Sequence, residues 1–379
     1  MDINELREKI DVINNEMQRL FDERMRVSAE IARYKRENGL PVIDRERERA
    51  VIHRAVMNSD EAIADYTRAF FTSVMNLSRS YQATLMPSDS GLATRIDAAL
   101  DGTSAVFTRD ATVACQGVEG SYSSVACDKL FPSSDILYFP RFENVFSAVE
   151  KGLCRYGILP IENSSHGSVG EVYDLMKKHN FHIVRSVRIK VDHVLVAKKG
   201  VKLSDVREII SHEQALGQCG QFLSAHPDIK IGLSENTAIA ARTVAESDRT
   251  DIAAIASRAT ASIYGLDIIE SGISNVSGNY TRFICISHDL EIYPGSNRIS
   301  FMMNLPHVPG SLGDLLTRFS SLGLNLTKLE SRPVPGSDFE FMFYFDIMAS
   351  ITDPNVKNLV CSLAREYERF ALLGCYCES

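Results

Sequence analysis

Two cations stand where a helical sequence should be apolar. Leu6, Ile10, Ile13, Met17, Leu20, Arg24, Val27, Ile31 and Tyr34 recur in steps of four and three, the spacing of one buried stripe, and Arg24 interrupts it. Lys35 follows about three turns later on nearly the same side, so the two can converge on one anion. A guanidinium is costly to bury unless something negative pairs with it, either a ligand anion or a carboxylate such as Glu48 or Asp44. Further on, Thr67, Phe71, Val74, Ser78, Gln82 and Leu85 form an inward stripe that places a hydroxyl and an amide at i, i+4. Glu48 closes the charged run Asp44-Arg45-Glu46-Arg47-Glu48 and begins a stripe continued by Ile52 and Ala55. Buried polar groups need partners, and this set could grip a small anion.

These residues resemble the all-helical chorismate mutases: the LREKID start with Arg7, the ER pair holding Arg24, Lys35, the D-x-x-R-E of Asp44 to Glu48, and the S-R-x-x-Q of Ser78 to Gln82. The resemblance implies a pericyclic rearrangement of chorismate to prephenate, which needs no proton transfer, only preorganised charge around two carboxylates and a breaking ether bond. It implies that Arg7, Arg24 and Arg47 hold carboxylates, that Lys35 and Gln82 bond the ether oxygen, and that Glu48 binds the ring hydroxyl. Asp44 and Ser78 would support them. Members are intertwined dimers, so Arg7 is expected in the partner's site.

The middle of the chain offers four polar loops at strand ends. Gly117-Val118-Glu119-Gly120-Ser121-Tyr122-Ser123 follows an apolar strand and opens a helix, a place where amides and hydroxyls take an anion. Pro160-Ile161-Glu162-Asn163-Ser164-Ser165-His166-Gly167 ends the strand YGIL. Ser234-Glu235-Asn236-Thr237 caps a helix, and Asn279-Tyr280-Thr281-Arg282-Phe283 opens a strand after Gly278. Each alone reads as a turn, a cap or a polar loop. Together, with Ser211 to Gln214 and Gln218-Cys219, they resemble prephenate dehydratase, whose G-x-x-G-S-Y-S, P-I-E-N-S and N-x-T-R-F motifs stand here in order.

That resemblance implies two α/β lobes, arranged like periplasmic binding proteins, closing over prephenate, which loses carbon dioxide and its ring hydroxyl to give phenylpyruvate. The chemistry asks for a proton donor to the departing hydroxyl and anchors for two carboxylates. Thr281 is expected to donate or relay that proton, with Arg282 as the cation for a carboxylate. Glu162, Asn163 and Gln218 would shape the site, and Ser121, Ser164 and Thr237 would bind substrate. His166 and His212 titrate near neutrality but are more commonly structural, so both are left off the catalytic set. Asn236 departs from the serine or threonine more usual before Thr237.

Near the C-terminus, Gly310-Ser311-Leu312-Gly313 starts a helix and Glu330-Ser331-Arg332-Pro333 ends a strand. Both are similar to motifs of the phenylalanine-binding ACT domain. The resemblance implies phenylalanine bound by Gly310, Ser311, Leu312, Glu330, Ser331 and Arg332 between side-by-side protomers, with feedback inhibition as the outcome. The ending Gly374-Cys375-Tyr376-Cys377 lacks the family's final proline.

The elements that must position these residues change period along the chain. Residues 1–86 read as an all-helical mutase-like domain. Residues 87–104, PSDSGLATRIDAALDGTS, show no clear period and suit a linker. Over 105–288 short apolar runs alternate with helical patterns, the mark of α/β layers. Residues 296–379 run β-α-β-β-α-β, an α+β ferredoxin-like unit. A multidomain fold suits 379 residues at 45% hydrophobic. A net charge of -8 gives no general attraction to nucleic acid or anionic membranes. No apolar run reaches the ~18 residues of a membrane span, and the charged start MDINELREKI makes the cytoplasm the default expectation. Eight scattered cysteines without a C-x-x-C pair read as reduced thiols. Nothing demands a metal or organic cofactor.

The order of segments resembles the fused chorismate mutase–prephenate dehydratases, which implies chorismate, prephenate and regulatory L-phenylalanine as partners and a homodimer or homotetramer. Arogenate dehydratase activity is the alternative among enzymes. A non-catalytic amino-acid-responsive binding protein is the alternative outside them.

Overall fold

The first helix, Ile3–Glu37, opens on Asp2, whose backbone N–H donates to the Glu5 carboxylate at 3.2 Å, and closes on Asn38, whose side chain donates to the Tyr34 carbonyl at 2.8 Å. At 35 residues it is about 52 Å long. The two helices that pack with it, Arg45–Met57 and Ala64–Leu85, are shorter, so they cover only part of it. In consequence the stripe expected to be buried is largely exposed: Ile10 is 56% and Tyr34 62% accessible, and only Ser28 and Ala32 of this helix are buried. The period was correctly a helix, but one chain supplies too little surface to bury its apolar side. The computed structural model describes residues 2–40, 44–85, 91–334 and 340–379.

The chain divides into two compact units, Met1–Asp97 with Ile299–Ala371, and Ala98–Arg298 with Leu372–Ser379. In the first unit, the helix Ala64–Leu85 also packs on Ser311–Ser321 and Pro354–Glu366. Asn76 donates to Asp314 at 2.7 Å there, and Ser80 lies 3.4 Å from the Ser321 hydroxyl. The strands Asn325–Pro333, Phe341–Met348 and Arg298–Asn304 lie side by side in that order, with Asn325–Pro333 at the edge. Stacked Phe301 and Phe345, with Phe319 edge-on to both, fill the space beneath. With the strand Ala371–Glu378, the chain order β-α-β-β-α-β matches the reading of this segment.

The expected linker contains a helix, Gly91–Gly102, with Ala93, Ile96 and Ala99 buried at intervals of three. Its Ser, Asp and Gly residues hid a short apolar stripe; residues 87–90 lie outside the described residues.

The second unit holds two sheets. In one, Thr112–Gln116 runs parallel to Asp135–Phe139 and Tyr156–Asn163, while Tyr280–Ser287 lies antiparallel between Tyr156–Asn163 and His182–Lys190. In the other, the order is Asp267–Glu270, His193–Ala197, Ile252–Ser257, Glu208–Ser211, Lys230–Leu233. The strands His193–Ala197 and Ile252–Ser257 are buried throughout, which explains their near-continuous apolar sequence. Separate apolar cores under each sheet make two lobes. The chain crosses between them twice, at 191–192 and 271–279.

Candidate functional site

Between the lobes lies a cleft of about 480 Å³. Two helix N-termini face it. Ser121 caps Tyr122–Leu130, its Oγ accepting from Ser124 N at 3.2 Å, and Asn236 caps Thr237–Glu246, its Oδ1 accepting from Ile239 N at 2.7 Å. The loop before the first helix needs glycine at position 120: φ is +85°, and a Cβ would sit 2.9 Å from Thr260 Cγ2.

Strand geometry decides which loop residues reach the cleft. Thr281 and Phe283 line it, so Arg282 between them points to the opposite face. There it is buried and its Nε lies 2.8 Å from Glu162 Oε1, its cross-strand partner. The register shifts between Arg282 and Phe283, because Arg282 faces Glu162 while Phe283 faces Pro160. This bulge lets Pro160 and Asn163 both line the cleft while Glu162 turns away. Arg282 and Glu162, expected to meet a substrate carboxylate and to shape the site, thus lie outside the lining of the cleft. Ser164 also lies outside the lining; its Oγ accepts from Tyr280 N at 2.9 Å and ties down the loop. Ser121, Asn163, Gln218, Thr237 and Thr281 do line it.

Asn163 is held in one orientation. Its Oδ1 accepts from the backbone N–H of Ser165 at 2.9 Å and of His166 at 3.0 Å, so its Nδ2 donates, to Asn279 Oδ1 at 2.8 Å and to Thr281 Oγ1 at 2.9 Å. Thr281 thereby has an oxygen already bonded and a proton left for the cleft. Opposite stands His193, which the sequence reading passed over as part of an apolar strand. Its place between Asp192 and the apolar run 194–197 did not by itself separate it from a strand-end polar residue. Both ring nitrogens are bonded, to Tyr122 at 3.2 Å and to Gln218 at 2.7 Å, and burial lowers its pKa. His166 and His212 line the cleft too; His212 caps the helix Glu213–Gln218 through its Nδ1, 3.2 Å from Gln214 N. Among the described residues lining the cleft there is no lysine or arginine. An anion there meets hydroxyls, helix-terminal N–H groups and imidazoles.

In the helical segment, Arg24 is half-buried and donates to the Ser78 hydroxyl, with Nη2 3.2 Å from Met75 Sδ. Neither Glu48 nor Asp44 pairs with it among the described residues, and burial lowers its pKa. Glu48 instead faces Arg79 at 3.8 Å, with Lys35 close enough to act on it. Burial still pushes the Glu48 carboxyl up. Gln82 Oε1 is buried without a partner among the described residues. Asp44 caps its helix, accepting from Arg47 N at 2.9 Å. Arg7 and Arg47 are exposed, Arg7 about 25 Å along the helix from Arg24. One chain thus gathers Arg24, Ser78, Lys35 and Glu48, but not Arg7. Arg79 is the neighbour that sequence reasoning missed, although it sits inside the S-R-x-x-Q motif.

At the start of Ser311–Ser321, Gly310 adopts φ +93° and Ser311 and Leu312 line a cavity of about 380 Å³ with Pro306, Val308, Phe341 and Phe343. Glu330, Ser331 and Arg332 lie on the edge strand Asn325–Pro333, outside that lining, with Ser331 opposite Phe343.

Comparison with known proteins matches residues 113–291 to prephenate dehydratase and residues 6–83 to chorismate mutase type II. The chain is 38% identical over 284 residues to arogenate dehydratase/prephenate dehydratase 2, chloroplastic, of Arabidopsis thaliana, covering 70% of this chain and 72% of that protein. It is 28% identical over 382 residues to the bifunctional chorismate mutase/prephenate dehydratase of Escherichia coli (strain K12), covering 98% of this chain and 95% of that one. The solved prephenate dehydratase in complex with L-Phe from Arthrobacter aurescens superposes with a TM-score of 0.65 at 28% identity, over 70% of this chain and 90% of that chain. No helix among the described residues is long and apolar enough to cross a membrane.

Proposed function

The chain belongs to the prephenate dehydratase family and carries a type II chorismate mutase segment before that domain, and on that premise we propose how its residues divide two reactions, chorismate to prephenate and prephenate to phenylpyruvate. In the first, Arg24 supplies an uncompensated cation for a carboxylate, Lys35 and Gln82 face the ether oxygen, and Glu48 takes the ring hydroxyl. Ser78 holds Arg24, and Asp44 fixes the helix that carries Glu48. The half-buried Arg24 supports this, since it lacks the anionic partner that a substrate would bring. As Gln82 Oε1 is an acceptor, it is the amide's other end that would donate to an ether oxygen. Arg7 and Arg47 complete the site from a second chain and from the helix start; the exposed stripe of the first helix favours such an assembly, a homodimer or homotetramer in the cytoplasm.

In the second reaction, the ring C–CO2⁻ bond breaks and its electron pair enters the ring. The C–O bond of the 4-hydroxyl breaks in turn, and the hydroxyl departs as water after gaining one proton. The observation that carries the assignment is the Asn163–Thr281 bond, in which Thr281 Oγ1 accepts and so keeps its own proton to donate, on a residue that lines the cleft. Ser121 and Thr237, at the two helix N-termini, receive the substrate carboxylates. Glu235, a carboxylate on the cleft wall, is the group that the amino substrate arogenate would meet, so the two substrates are to be compared.

Phenylalanine binds beside Gly310, Ser311 and Leu312, with Glu330, Ser331 and Arg332 on the edge strand facing a second copy, and inhibits the dehydratase. The test is chorismate consumption and phenylpyruvate formation by the whole chain, with and without phenylalanine. Phenylpyruvate that falls on adding phenylalanine is expected. Chorismate stopping at prephenate contradicts the dehydratase assignment, and no consumption at all supports the non-catalytic binding protein.

A further inference from the structure

His193 opens a strand that is otherwise apolar and buried, is itself 3% accessible, and yet lines the cleft. A buried imidazole there is tolerated because both nitrogens are bonded. The partners fix its tautomer. Gln218 Oε1, at 2.7 Å, can only accept, so the proton sits on Nε2; Nδ1 is bare and takes the Tyr122 hydroxyl proton at 3.2 Å. Tyr122 remains a phenol, since burial pushes its pKa up. With Oε1 engaged, the Gln218 amide directs its Nε2 at His166 Nδ1, 3.1 Å away. Accepting there, His166 Nδ1 has no proton for Asn163 Oδ1, 3.3 Å away, so the chain ends at the His166 imidazole, beside the Asn163 that donates to Thr281.

Every donor in this chain points the same way, from Tyr122 through His193 and Gln218 to His166. Tyr122 and His166 belong to one lobe, His193 and Gln218 to the other. Asn163 is oriented by backbone amides, but Gln218 has no such anchor on its carboxamide. We propose that His193 is a positioning residue for the dehydratase reaction: as a neutral Nε2–H imidazole it fixes the carboxamide of Gln218 across the cleft, and through it the groups beside Thr281. This rests on the prephenate reading of the cleft. Without His193 the Gln218 amide can turn over and present its oxygen to His166, and the reacting groups lose a fixed wall.

The test is steady-state prephenate turnover by the full chain. His193→Ala should lower kcat about 10- to 100-fold with KM changed less than about threefold. His193→Gln, whose amide N–H can donate to Gln218, should recover most of that loss. Gln218→Ala should fall similarly, and the double variant should be no worse than Gln218→Ala alone, because the two act as one unit. Full additivity, an unchanged kcat in His193→Ala, or a loss confined to KM overturns the proposal. If His193→Ala fails to fold, Tyr122→Phe and His193→Gln carry the test. Tyr122→Phe leaves Nδ1 unpaired and should give a smaller kcat loss of the same kind, and an unchanged kcat there overturns the proposal equally. A wild-type chain that does not turn over prephenate fails at an earlier point, in the reading of the cleft, and the role of His193 falls with it.

Discussion

On the proposed assignments, the helical site and the interlobe cleft solve the same problem, holding a dianion, in opposite ways. In the cleft nearly every polar group is already bonded to another: Tyr122, His193, Gln218 and His166 form one chain, Asn163 and Thr281 a bonded pair beside it, and the ion pair of Arg282 with Glu162 is turned out of it. In the helical site the polar groups wait. Arg24 has a hydroxyl and a thioether but no carboxylate, Gln82 Oε1 has no partner among the described residues, and the helix that carries Arg24 and Lys35 exposes its apolar stripe. A reaction that only needs charge placed around it can leave a cation such as Arg24 without a carboxylate until the substrate arrives. One that needs a proton delivered must first fix its donor.

One way to sharpen the contrast is through stability. Arg282→Ala should lower the unfolding free energy by about 1–3 kcal/mol, because it removes a buried guanidinium and its charged bond to the partly buried Glu162, while changing the KM for prephenate little. Urea unfolding with kinetics on the folded fraction checks this, and a large KM increase at unchanged stability would return Arg282 to the cleft. Next, Thr281→Val should cut prephenate turnover by about 10²–10⁴-fold, the range of a lost acid, and leave chorismate loss intact. Arg24→Ala should do the converse, lowering mutase turnover by about 10²–10³-fold.

A smaller effect concerns pH. Burial lowers the His193 pKa from 6.5 in the fold. The unfolded chain therefore binds this proton first, and stability falls as pH drops below about 6.5, by up to about 1.4 kcal/mol per unit, until the folded pKa is reached. His193→Gln should remove that part of the slope in denaturation curves between pH 7 and 5. Glu48 has the reverse sign: burial raises its pKa, so its contribution is present at low pH and lost as pH rises through the folded value. Glu48→Gln should therefore raise stability at pH 7 slightly, by up to about 1 kcal/mol, while lowering mutase turnover.

Much of this was legible in residue spacing. The polar interruptions at Arg24, Ser78 and Gln82 mark a helical site because a 3.6-residue period says which face they share. The strand-end loops holding Ser121, Asn163, Thr237 and Thr281 mark a cleft because α/β ligands sit at strand ends. What spacing did not disclose has physical causes. Glu162 and Arg282 looked like site residues because they adjoin Asn163 and Thr281, but a two-residue period and one bulge send them to the other face. His193 was hidden because a residue is recognised as polar-in-core only once the core is known. The length of helix left uncovered on Ile3–Glu37 could not be read from that helix, since it depends on how much of it the other two reach.

The most direct measurement places a charge on the exposed stripe. In a chain carrying Ile13→Glu and Leu20→Glu, both activities and the sedimentation behaviour would be followed. If the helical site is completed by a second chain through that stripe, chorismate consumption should fall by at least about 10²-fold as self-association through the helical segment weakens, while prephenate turnover stays within about twofold of wild type. Undiminished chorismate consumption by a chain that has lost that association would show the helical site to be complete in one molecule and contradict the contrast drawn here.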